Sequence, residues 1–143
     1  MSAASNYLET KLLDHSLGTT SWTAPTTVYV GLFLNTSGNA TANLEAGTLS
    51  DEVPTTVSSS ASGYDRKVIT FDAASSPTGS AGSGSTVTFT TATEDWGTVT
   101  HLAIMDAATG GNVLYYGTLD SSKLIETGDT FVIQASNLTI TLA

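Results

Sequence analysis

Apolar and polar positions alternate with a period of two in several short segments of this chain, as in strands whose successive side chains point to opposite faces. Residues 27–34 (TVYVGLFL) set Val28, Val30, Leu32 and Leu34 on one face and Tyr29 and Phe33 on the other. Gly31 in their midst signals a bulge or a close approach of another backbone. Residues 98–105 (TVTHLAIM) are apolar on both faces, with Val99, Ala103 and Met105 one way and Leu102 and Ile104 the other. Such a strand belongs inside a sandwich or barrel, not at its rim. Turn residues at 106–111 (DAATGG), including two glycines suited to positive φ, lead into 112–119 (NVLYYGTL). The spacing predicts a hairpin, and the rest of the chain is arranged around it.

Further strands are expected at 66–71 (RKVITF), 86–90 (TVTFT), 130–134 (TFVIQ) and 137–142 (NLTITL), the last with Leu138, Ile140 and Leu142 inward. One helix is expected over 6–17. Asn6 or Ser5 caps it, Leu8, Leu12, Leu13 and Leu17 form a narrow apolar stripe, and Gly18 stops it. A helix this short is marginal alone and must dock, on its own core or on a neighbouring chain. Residues 35–62 read as a long surface loop over which Leu44, Leu49, Val53 and Val57 are scattered. Residues 77–85 (PTGSAGSGS) read as a flexible loop, and 120–129 as a connection turning at Gly128-Asp129. The fold class that follows is mainly β: an antiparallel β-sandwich or flattened barrel of about seven strands with one short N-terminal α-helix. All 143 residues are expected to form one β domain, with 1–18 as helix or arm.

Composition narrows the function. Charged residues are only 12%, so Ser and Thr carry solubility, as suits β structure. Four Lys and Arg stand against thirteen Asp and Glu, for a net charge of −9. That balance argues against nucleic acid and anionic membrane surfaces; it reads first as a source of solubility, and otherwise as complementarity to a basic partner surface. With no cysteine, thiol catalysis and zinc–thiolate sites are excluded. The N-terminal residues have neither a basic segment nor an apolar run of the signal-peptide kind, which predicts synthesis and folding in a cytoplasm.

Candidate chemistry is sparse. His15 and His101 are the two histidines, and the reading for His101 is a strand residue hydrogen-bonded at the core edge. No nucleophile-elbow or phosphate-loop motif is present. Glu94-Asp95 beside Trp96 could be drawn as a carboxylate pair with a sugar platform. The simpler reading makes Trp96 a core anchor at a strand entrance. No enzyme activity, cofactor or metal is expected.

The segments NYLETKLLDHSLG, TVYVGLF, GYDRKVITF, EDWGTVTHLAIMDAATGGNVLYYGTL and GDTFVIQASNLTITL together resemble a family of small tailed-bacteriophage virion proteins. Its members are commonly labelled tail-fibre proteins, and some are similar to capsid cement, or head-decoration, proteins. The most specific part is WGTVTH at 96–101 followed by DAATGG at 106–111. The resemblance implies a structural role without catalytic residues, on the outside of a phage head. The partners would be the major capsid protein and neighbouring copies of this chain, a trimer suiting a lattice-binding protein. The contact residues expected for that role are Tyr7, Leu8 and Leu12 on the helix, and Leu44, Leu49, Asp51 and Glu52 in the long loop. The alternative it carries is a tail-fibre or tail-tip component binding a host receptor or glycan, with Trp22, Trp96, Tyr115 and Tyr116 as stacking surfaces.

Overall fold

A computed structural model describes residues 3–53 and 62–142. Its centre is the predicted hairpin. Strand β6 (Gly97–Met105) runs antiparallel to β7 (Val113–Ile125), and Gly110 and Gly111 turn between them at φ +60° and +71°. β2 (Val28–Phe33) lies on the other side of β6, and β3 (Lys67–Ile69) lies outside β2. β1 (Ala3–Ala4) pairs with β7 at Tyr115 and Tyr116, completing an antiparallel sheet in the order β1-β7-β6-β2-β3. Two ribbons accompany it: β4 (Ser80–Gly82) with β9 (Thr139–Thr141), and β5 (Val87–Thr88) with β8 (Val132–Ile133). The strands do not close into a barrel; the arrangement is sandwich-like.

The two faces of the main sheet bury two clusters. Val30, Leu32 and Leu34 join Leu102, Ile104, Phe89, Trp96, Phe131 and Ile133 on one face. Phe33, Ala103, Met105, Val113 and Tyr116 meet Leu44 on the other. β2 obeys its predicted alternation. In β6 the alternation slips at one point. Val99 opposes Lys123 while His101 opposes Thr118, so residues 119–122 of β7 stand opposite Thr100 alone. This bulge re-phases the strand, and Val99 packs with Leu102 and Ile104 instead of with Ala103 and Met105.

Helix α1 (Asn6–Ser16) is capped by Ser5, whose Oγ accepts from the Leu8 N–H at 3.2 Å and whose hydroxyl donates to the Val113 carbonyl. Gly18 follows the helix at φ +75°. Leu8 is buried in the core, with Tyr7 and Leu12 partly buried beside it. The predicted four-leucine stripe splits here: Leu13 and Leu17 are 59% and 74% exposed. Leu8 and Leu13 are five residues apart, which puts them about 140° apart around the helix. They therefore belong to two rows, and only one row docks.

Three segments expected to lack regular structure carry it. Residues 35–53 contain α2 (Ala40–Glu45), whose Leu44 is fully buried, and Val53 enters the core. Val57 lies outside the described residues. The Gly/Ser stretch at 77–85 contains β4, paired by backbone alone, so side chains gave no sign of it. β7 continues through 120–125 because residues 123–125 pair with 97–99 beyond the bulge. Leu142, expected inward, is half exposed, since β9 meets only β4.

Candidate attachment surfaces

The residues expected to make contacts divide by burial. Tyr7, Leu12 and Leu49 are partly exposed, whereas Leu8, Leu44, Asp51 and Glu52 are turned inward. Each of the last four has a role within the chain. Leu8 seats α1, and Leu44 seats α2 against the second cluster. Asp51 organises the segment before α2. Its carboxylate accepts from the Ser37 N–H and hydroxyl at 2.9 and 2.6 Å, from Thr36 at 3.0 Å and from Asn43 at 3.0 Å. Burial pushes this carboxyl up, but the donors prevail and hold it at about 2.

Glu52 belongs to a second polar cluster, built around Arg66. Arg66 Nε and Nη2 each donate to it at 2.7 Å in a bidentate pair. Arg66 Nη1 donates to the carbonyls of Ala107 and Gly110 at 2.8 and 2.7 Å. Tyr64 OH donates to Glu52 Oε1 at 3.0 Å and accepts from the Leu32 N–H at 2.9 Å. Burial acts to lower the Arg66 pKa, but Glu52 outweighs it and the pKa lies above the ordinary arginine value. A Cβ on Gly31 would sit 3.3 Å from both Glu52 Oε1 and Tyr64 OH. The close approach predicted at Gly31 is therefore made by side chains, and β2 pairs through it without a bulge.

The consequence is a stiff hairpin tip. Arg66 holds two of its carbonyls, and Asp106 accepts from the Asn112 N–H at 2.7 Å and from its side-chain amide at 2.8 Å. Gly111 is required there: a Cβ would lie 2.4 Å from Asp106 Oδ1 at φ +71°. Residues 108–111 stand exposed on this frame. In the sequence Arg66 stands only as the first residue of the strand expected at 66–71. The available signal was a rare arginine immediately before a strand in a chain with few charges.

His101 is 5% exposed, with Nε2 2.9 Å from the Thr41 hydroxyl and Nδ1 2.7 Å from that of Thr100. It joins α2 to β6, as a structural histidine does. Burial lowers its pKa, with Asp51 opposing. His15 Nδ1 accepts from the Trp22 N–H at 3.1 Å. Asp95 accepts from the Thr127 N–H and hydroxyl at 2.8 and 2.9 Å. Trp96 is buried and donates to the Ser62 carbonyl at 2.9 Å, so it anchors the core and offers no stacking face. Trp22 and Tyr115 are partly exposed. Among the described residues, no three or more His, Cys, Asp or Glu side chains are grouped to hold a metal ion. Nor is any helix long and apolar enough to cross a membrane.

Among the described residues, surfaces open to contact include the outer row of α1, Leu13 and Leu17, and a groove of about 530 Å³ between β7 and the β8–β9 segment. Comparison with known proteins gives one family: the model described as Podophage GP4 fiber I protein gp80 matches residues 3–141. No curated protein matches the chain.

Proposed function

Because the chain belongs to the Podophage GP4 fiber I protein gp80 family, and so is a structural protein of a tailed-phage virion, we propose that it acts by attachment, as a decoration protein on the outside of the head. It would bridge neighbouring major capsid subunits, beside further copies of itself. The observation that carries the docking is the outer row of α1. Leu13 and Leu17 lie one turn apart, exposed, on a helix already fixed to the fold by Ser5 and Leu8. A rigid helix presenting two leucines loses little entropy on docking. Repetition over a lattice multiplies a weak contact into avidity. The net charge of −9 suits a basic receiving surface.

A second reading, a fibre component that meets the host, is favoured by the family's description as a fiber protein. Gold labelling of intact virions with an antibody to this protein separates the two. Label over the head supports decoration; label confined to the tail end replaces it with the fibre reading. Deleting residues 1–17 would be a poor test of docking, because Ser5 and Leu8 belong to the fold. The double variant Leu13→Ser, Leu17→Ser should fold normally yet be missing from assembled virions. Full incorporation of that variant would overturn the role given to α1.

A further inference from the structure

We propose that the groove between β7 and the β8–β9 segment is a binding site for a neutral saccharide. It rests on the fibre reading for its biological use, but its chemistry is independent of where the protein sits on the virion. The groove holds about 530 Å³, within the range of formed ligand sites. Its floor is the open end of the sandwich. Leu102, Ile104 and Tyr115 line it from the main sheet, and Phe131 and Ile133 from the opposite layer.

Its two walls are both irregular in backbone. One contains residues 119–122, which the β6–β7 bulge leaves without partners in β6, and it carries Asp120 and Ser121. The other carries Gln134 and Asn137. Ser136, in the turn between them, sits at φ +65°, the one non-glycine residue with positive φ among those described. Bulges and left-handed non-glycine residues disrupt pairing and cost energy, and they gather where side chains must be aimed. Here the bulged residues line one wall of the groove, and the Ser136 turn joins the two residues, Gln134 and Asn137, that line the other.

The chemistry selects the ligand class. One acid, Asp120, and one base, Lys123, offset each other inside the groove, in a molecule carrying −9. A strongly charged ligand gains nothing there. A carboxamide and hydroxyls (Asn137, Thr118, Ser121 and Thr139) make no side-chain hydrogen bond among the described residues and are free to serve a polyhydroxylated ligand. The Tyr115 ring and the leucine floor suit the apolar face of a pyranose. A molecule with hydroxyls at its edge and C–H groups on its face matches this lining.

The test is a titration of the isotope-labelled protein with a panel of neutral and anionic oligosaccharides, followed by amide NMR. A neutral oligosaccharide should move the amides of Thr118, Asp120, Asn137 and Thr139. The exposed double variant Gln134→Ala, Asn137→Ala, with an unchanged spectrum elsewhere, should weaken binding at least tenfold. The inference is overturned if no neutral oligosaccharide shifts these amides, if the shifts map to another surface, if a peptide or anionic sugar alone binds, or if the double variant binds normally. Gold labelling decides location and this titration decides binding, so either reading can fail without the other.

Discussion

Arg66 ties together two parts of the chain that are far apart in sequence. Its guanidinium joins the segment after α2, through Glu52, to the tip of the central hairpin, through Ala107 and Gly110. A buried pair adds little over an apolar replacement, yet breaking one side strands a charge. Arg66→Met should therefore cost about 3–5 kcal/mol in urea unfolding, as breaking a buried pair does. The double variant Arg66→Met, Glu52→Leu should recover much of that loss. A single variant within 1 kcal/mol of the parent would show that the pair is not desolvated. His101 makes a second residue-scale prediction. Its folded pKa lies below the ordinary 6.5 because burial disfavours the cation. The unfolded chain thus takes up the proton first as pH falls. Stability is full above about 6.5 and declines below it. Unfolding free energy should be lower at pH 5 than at pH 7.5, and His101→Gln should flatten that slope. Asp51, held at about 2, stays ionised across this window and does not contribute to it.

At the scale of elements, α1 has a structural side and a free side. Leu8→Ala should cost about 2–5 kcal/mol, as for other buried leucines, whereas Leu13→Ser should change stability by about 0.5 kcal/mol or less. Thermal unfolding of the two variants side by side tests the split, and equal losses would refute it. The elements that could be read from the sequence were those whose side chains alternate or recur. β2, β6 and the first half of β7 declared themselves in this way, as did α1 with its Ser5 cap and following Gly18. β4 could not be read, because Ser80–Gly82 is held by backbone bonds to a strand about 60 residues away and carries no apolar signature. α2 was hidden for another reason. Its six residues bury only Ala40 and Leu44, too few for a period to emerge. The bulge at Thr100 is a product of pairing, invisible in either strand alone, and it reversed the side assigned to Val99. For the same reason the groove could not be foreseen: its walls come from β7 and from residues 131–140, brought together only by the sandwich.

For the whole molecule, the dominant quantity is charge. A body of −9 with four basic residues approaches a basic lattice faster than a neutral one would, and the attraction is screened by salt. Raising NaCl from 0.1 to 1 M shortens the screening length from about 10 to about 3 Å. Rebinding of the protein to stripped virions should slow markedly over that range while the dissociation rate changes far less. A salt-independent association rate would remove charge from the account and leave the leucines of α1 alone. The membership of the chain in a fiber protein family agrees with a molecule selected for stiffness and surface.

The ribbon of β4 and β9 has a consequence for biosynthesis. Ala81 pairs with Ile140, so the earlier strand leaves the ribosome long before its partner is made. At roughly 5–20 residues per second the wait is about 3–12 s. β1 waits longer still, since Ala3 pairs with Tyr116. These two strands thus spend seconds unpaired on the nascent chain. For these two strands the defence is composition: AA and SAG are too small and too little apolar to nucleate a wrong pairing.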